Sequence, residues 1–170
     1  MRLRKQLAKG LIGHGIESVK RTKRFVNLDS ARTAGIVWTG HDYPAYESLI
    51  SVLEQKQIKW TDLCFTDDKA LPVAANRISK KDFSFLGKPK SRLVTDFINT
   101  DFDLFIDISL SSSVYAQVIR GLSKASFKAG WSDAKPDLFD FRIDISKRPE
   151  PMFLVEQLTY YLSEIKTKET

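Results

Sequence analysis

Four short apolar runs set the strongest limit on what this chain can fold into: AGIVW (34–38), WTDLCF (60–65), DLFIDI (103–108) and SFKAGW (126–131). AGIVW is a compact apolar run suited to a strand buried on both faces, DLFIDI is apolar except at Asp107, and WTDLCF and SFKAGW read as strands beside them. Between and after them come stretches with apolar residues at helical spacing: about 43–57, RLVTDFIN (92–99), SSSVYAQVIRGLSKA (111–125) and MFLVEQLTYYLSEI (152–165). Alternating strands and helices predict a mostly parallel sheet with helices on both faces. A further short strand is expected in DFSFL (82–86), and FDFRIDI (139–145) alternates like a strand exposed on one face.

Local signals fit that order. Asp42 is placed to cap the helix that begins near Tyr43, with Pro44 tolerated in its first turn. Ser111, Ser112 and Ser113 precede a helix and Ser91 precedes another, where hydroxyls satisfy open amides. The chain of 170 residues, 42% hydrophobic, suits one ordinary domain. Cys64 is the single cysteine, which excludes an internal disulfide and a cysteine zinc site. No apolar run reaches the length of a membrane span, and a cytoplasmic protein is expected.

The net charge of +6 is unevenly spread. Residues 1–24 hold Arg2, Arg4, Lys5, Lys9, Lys20, Arg21, Lys23 and Arg24 against Glu17 alone, and residues 77–92 hold Arg77, Lys80, Lys81, Lys88, Lys90 and Arg92 against Asp82. Leu3, Leu7 and Leu11 recur at a spacing of four, so the first segment predicts a basic amphipathic helix, weakened by Gly10, Gly13 and Gly15. GLIGHG lacks the glycine order and the preceding strand of a phosphate loop. The expected organisation is a basic arm over 1–24, separable from the fold, an α/β domain over 25–166 and a frayed tail over 167–170. The fold class is a single three-layer Rossmann-like α/β domain with a mostly parallel sheet, preceded by the basic N-terminal helix.

VNLDSARTAGIVW, KKDFSFLGKPKS, DFDLFIDISL and SKASFKAGW together resemble a family of short Bacteroidetes proteins of unknown function, over nearly the whole chain. That resemblance implies a fold and brings no activity. DLFIDISLSSSVYAQVIRGLSKASFKAGW, within 101–131, resembles the strand, helix and strand of the N-terminal domain of heptosyltransferase-like glycosyltransferases. The match is a packing pattern, and in that enzyme class a second domain largely holds the sugar-nucleotide donor.

The chemistry-bearing residues name no reaction. Ser111–Ser113 lack a GxSxG elbow. His14 and His41 are the only histidines, and His41 with Asp42 lacks an identifiable third group to orient it for acid–base work. Asp103 and Asp107 share a strand face, but four residues of extended chain set their backbones more than ~10 Å apart, too far to share one metal readily. Asp107 alone stays a weak ligand candidate. No cofactor and no metal is expected, and catalysis is not the favoured reading.

Anion binding is the chemistry the pattern favours. Lys88, Lys90, Ser91 and Arg92, in the FLGKPKSR turn, and Ser111 and Ser112 are the candidate anion-binding residues, through open amides at two helix starts. Arg2, Arg4, Lys5, Lys9, Lys20, Arg21, Lys23 and Arg24 form the candidate polyanion-binding arm. The expected function is a small cytoplasmic binding domain whose arm contacts RNA, the ribosome or an anionic membrane, the last giving it a peripheral membrane position. The alternative is an enzyme or sensor for a phosphorylated or nucleotide-like small ligand at the carboxyl end of the sheet.

Overall fold

A computed structural model of the chain describes residue 10 and residues 13–67 and 75–166. The arm residues Arg2, Arg4, Lys5 and Lys9 and the tail over 167–170 lie outside the described residues. The strands are β1 (Thr33–Thr39), β2 (Lys59–Phe65), β3 (Arg77–Ile78), β4 (Leu104–Asp107), β5 (Phe127–Gly130) and β6 (Phe141–Arg142). The helices are α1 (Tyr43–Gln55), α2 (Arg92–Asn99), α3 (Val114–Leu122) and α4 (Pro151–Glu164). The strands form one sheet in the order β3-β2-β1-β4-β5-β6, and every neighbouring pair is parallel.

Alternation along the strands divides the core into two layers. Ala34, Ile36 and Trp38 of β1 and Leu104 and Ile106 of β4 face α1 and α4, which supply Leu49, Leu53, Leu154 and Leu158. Val37, Leu63 and Phe105 face the other way, toward Val94 and Phe97 of α2 and Val118 and Ile119 of α3. Gly35 belongs to this second face. A Cβ there would stand 2.7 Å from the Phe102 ring and 2.9 Å from Phe97, so only glycine lets those two rings close over the middle of β1.

Three local readings change. DFSFL is no strand: among the described residues its ladder pairing is a bridge between Phe83 and Pro89, and the edge strand β3 lies a few residues earlier, paired with Cys64 and Phe65. The exposed alternating run contracts to Phe141–Arg142. Asp42 makes no capping bond to α1, because its carboxylate accepts the Thr39 hydroxyl instead. The serine caps fall where the sequence puts them, with Ser91 Oγ accepting Val94 N and Ser113 Oγ accepting Ala116 N.

The described part of the expected arm over 1–24 contacts the domain. Residues 13–17 are helical, and the segment through residue 24 packs against Gly121 of α3 and the residues that lead into β5 and β6. Ile16 fills the space that a side chain at Gly121 would occupy. Arg21 holds Asp140 through two bonds of 2.8 and 2.6 Å and donates to the carbonyls of Ala125 and Ser126. Arg24 pairs with Asp103, whose other oxygen accepts the amides of Arg32 and Thr33. A stretch expected to be separable from the fold packs against it, because its arginines answer carboxylates brought close only by the sheet.

Candidate functional site

The strand order reverses between β1 and β4, and parallel α/β sheets bind ligands beyond the carboxyl ends of the strands at such a point. Thr39 ends β1 and Asp107 ends β4, followed by the serine turn. Asp107 is no free ligand there. Its carboxylate meets Arg120 Nε at 2.5 Å, with side-chain exposures of 0% for Asp107 and 2% for Arg120. Ser109 N and Oγ donate to its other oxygen at 2.9 and 2.6 Å. Arg120 also reaches the Ser111 carbonyl and lies 5.2 Å from the centre of the Phe139 ring. Such a buried pair persists only when the remaining donors and acceptors are met in this way.

The turn is thereby committed to structure. Ser111 Oγ accepts Ser113 N at 3.2 Å, and the Ser112 carbonyl accepts Gln117 Nε2 at 2.8 Å. Ser112 is exposed and Ser111 half-buried. Leu110 takes φ 52°, a left-handed conformation rarely adopted by a bulky residue. The partners missed from sequence are Ser109 and Arg120. An arginine on a helix face otherwise lined by Ala116, Val118 and Ile119 was the available signal.

The second candidate lies at the β3 edge. Ser79 and Asp82 close a capping box around Lys80 and Lys81: Asp82 Oδ2 accepts Ser79 N at 2.8 Å, and Ser79 Oγ accepts Lys81 N at 3.2 Å. The Asp82 carbonyl then accepts the amides of Lys90 and Ser91 at 2.8 and 3.1 Å. Further out, Ser84 N donates to the Lys88 carbonyl at 2.8 Å, Lys88 N to Ser84 Oγ at 3.1 Å, and Gly87 turns the chain at φ 84°. The product is a closed hairpin whose base is fixed by buried Phe83 against Tyr115, 4.8 Å between rings. That packing seats the base of the hairpin beside the first turn of α3.

Two expectations about this loop change. The amides of Lys90 and Ser91 serve Asp82 and that of Val94 serves the cap, so these are not the open amides expected at this helix start. Lys80, Lys81, Lys88 and Lys90 are exposed and form no ion pair among the described residues. Arg92 is exposed and only loosely paired with Asp96 at 3.3 Å. Phe85 stands 68% exposed at the tip.

Of the described arm residues, Arg21 and Arg24 are engaged as above, and Lys23 lies 3.5 Å from Asp140. Lys20 stays exposed and, with Arg21, Asp101 and Lys124, lines an open cleft of about 740 Å³ at the amino end of the sheet. Beneath this segment Lys128 is buried, its amine reaching the Arg120 and Gly121 carbonyls that α3 leaves open at its end. Burial first, and then the Arg21 charge, push the Lys128 pKa down to about 7, with Asp140 opposing. Burial would lift Asp140, but the bonds from Arg21 outweigh it and hold that carboxyl below its usual value.

A third cluster lies under α1. Trp38 Nε1 donates to Asp62 Oδ2 at 2.7 Å, Tyr46 stacks on Trp38 at 4.0 Å, and Trp60 Nε1 donates to the Tyr46 hydroxyl at 3.3 Å. Burial raises Asp62 above its usual value despite the Trp38 bond. Burial, aided by the Asp62 charge, pushes Tyr46 and Cys64 up to about 12 each, so neither is a nucleophile at neutral pH. No group of three or more His, Cys, Asp and Glu among the described residues is placed to hold a metal ion.

Sheet order, parallel pairing and the two helical layers define a single three-layer α/β domain of Rossmann-like topology. The chain belongs to the Family of unknown function (DUF6913), whose model matches residues 4–165. No protein of curated function matches it. The comparisons show no link to the heptosyltransferases that residues 101–131 resemble. No helix among the described residues is long and apolar enough to cross a membrane.

Proposed function

We propose that the protein is a binding domain for a polyanion, contacted through the 79–92 hairpin with the basic N-terminal segment as a second contact. The carrying observation is that Lys80, Lys81, Lys88 and Lys90 stand exposed on both limbs of one hydrogen-bonded hairpin with no carboxylate partner among the described residues. Cations left unpaired at one rigid place create a positive field that attracts phosphate-bearing surfaces, RNA, the ribosome and anionic membranes among them. The N-terminal contact falls to Arg2, Arg4, Lys5, Lys9 and Lys20, because Arg21 and Lys23 pair with Asp140 and Arg24 pairs with Asp103.

The test is binding of inorganic polyphosphate and of single-stranded RNA across a salt series. Replacing Lys88 and Lys90 by alanine should weaken both and flatten the salt dependence by about 0.7 log units for each phosphate no longer neutralised. Glutamine at Arg2, Arg4, Lys5 and Lys9 should flatten it separately. Equal affinities and slopes in parent and variants would refute the reading.

A second reading, a phosphorylated small ligand at the carboxyl end of the sheet, is favoured by one observation. Leu110 is held left-handed at the switch point, beside exposed Ser112, and strained residues cluster at ligand sites. Stabilisation of the fold by nucleotides or sugar phosphates, abolished by Ser112→Ala, would support it.

A further inference from the structure

The cleft of about 740 Å³ lies at the end of the sheet opposite the serine turn. Three pieces of chain distant in sequence build it: residues 19–22, Asp101 ahead of β4, and Lys124 and Ser126 ahead of β5. Backbone bonds fix its walls. Lys124 N donates to the Ile98 carbonyl at 3.0 Å and Ser126 N to that of Phe102 at 2.8 Å. Arg21 clamps the 19–22 segment by donating to the Ala125 and Ser126 carbonyls at 3.0 and 3.1 Å. Its guanidinium is held by Asp140 as well, so Arg21 serves the wall.

The other polar side chains of the cleft have no such task. Those of Lys20, Thr22, Asp101, Lys124 and Ser126 form no hydrogen bond or ion pair among the described residues. A solvated lysine is ordinary on a protein surface. Here two lysines, a carboxylate and two hydroxyls line one concave surface, and the opposite charges do not pair with each other.

We propose that this cleft is a site for a small phosphorylated sugar, its phosphate held between Lys20 and Lys124 and its hydroxyls donating to Asp101. Ammonium groups answer a phosphate through charge-assisted bonds. An ionised carboxylate only accepts, so Asp101 takes hydroxyl donors and repels a second phosphate. The Thr22 and Ser126 hydroxyls can donate and accept, which suits the hydroxyl-rich body of a sugar. Val19 is the apolar member of the lining, and no aromatic residue joins it to receive a nucleobase. The volume falls within the range of roughly 300–1,000 Å³ usual for small-ligand sites, and walls already fixed lose little freedom on binding. Asp101 separates this site from the polyanion contact proposed above, because a chain of phosphates gains nothing from a carboxylate.

The experiment titrates the full chain with ribose 5-phosphate, inorganic phosphate and polyphosphate, followed by amide chemical shifts. The parent should bind ribose 5-phosphate saturably and more tightly than inorganic phosphate. Lys124→Ala should weaken both by about 3- to 10-fold, the range for a charge-assisted bond at a partly exposed site. Asp101→Ala should weaken ribose 5-phosphate alone, leaving inorganic phosphate level or tighter, a split that a merely structural role would not produce. Lys124→Gln and Asp101→Asn keep the side-chain size and repeat the measurement should an alanine variant melt below the parent. Replacing Lys88 and Lys90 by alanine should leave ribose 5-phosphate affinity unchanged whatever it does to polyphosphate, so the two readings fail separately. A parent that does not bind ribose 5-phosphate by about 10 mM overturns the site. Equal affinity for ribose 5-phosphate and inorganic phosphate, or affinities unmoved by substitution at Lys124 and Asp101, overturns it as well.

Discussion

Arg120 closes on Asp107 at 2.5 Å in the interior of the domain, joining the last turn of α3 to the carboxyl end of the central strand β4. The pair occupies the place where a Rossmann-like sheet usually presents ligand-binding groups, and Ser109, Ser111 and Phe139 complete its surroundings. Its role is to fix the serine turn. Arg120→Met should strand a buried carboxylate and lower stability by about 3–5 kcal/mol. Asp107→Asn should act similarly, and the double variant should cost much less than the two added together. Urea midpoints measure this, and strict additivity would show that the two side chains act independently.

The segment through residue 24 should behave as part of the domain. Arg21→Ala removes a two-bonded pair with Asp140 and two bonds to carbonyls, an expected loss of about 1.5–3 kcal/mol for bonds to charged groups. Gly121→Val should displace Ile16 and lower the melting temperature in the same direction. Deleting residues 1–24 should therefore destabilise the remainder, and a truncated chain that melts with the parent would restore the arm as a separate unit.

Asp62 should make stability fall as pH rises. Its folded value lies above the ordinary 3.8, so between the two values the folded chain keeps a proton that the unfolded chain has released. The penalty is complete above that window and is relieved as pH falls through it. Asp62→Asn keeps an acceptor for Trp38 Nε1 and removes the charge, so it should melt higher at neutral pH, by about 2–4 °C per kcal/mol recovered. The difference should shrink in acid, as calorimetry at several pH values would reveal, and an offset independent of pH would contradict the assignment.

Lys128 works in the opposite direction. Its folded value of about 7 lies below the ordinary 10.5, so between these the unfolded chain binds the extra proton and stability rises with pH. Against Lys128→Met, the parent should gain up to about 1.4 kcal/mol per pH unit across that window. Below pH 7 both states are protonated and the gap should level off. Parallel stability curves for the two proteins would exclude a titrating Lys128.

The sequence by itself determined the elements that local pattern dictates. AGIVW and DLFIDI are apolar on both sides because helices cover both faces of their sheet, and Ser91 and Ser113 cap helices because a hydroxyl at that spacing meets the amide three residues on. The clustered lysines of 77–92 were equally legible, since charge is a property of composition. Only the tertiary structure decided which charges remain available. Arg21 and Arg24 read as arm cations until folding sets Asp140 and Asp103, more than 70 positions away in sequence, against them. Asp107 read as a ligand candidate until α3 delivered Arg120 to it. The ends of weak strands were settled the same way: FDFRIDI alternates over its whole length, but the ladder with β5 registers Phe141 and Arg142 alone among the described residues. Pairing between distant residues depends on where the sheet carries them, and no local pattern encodes that position.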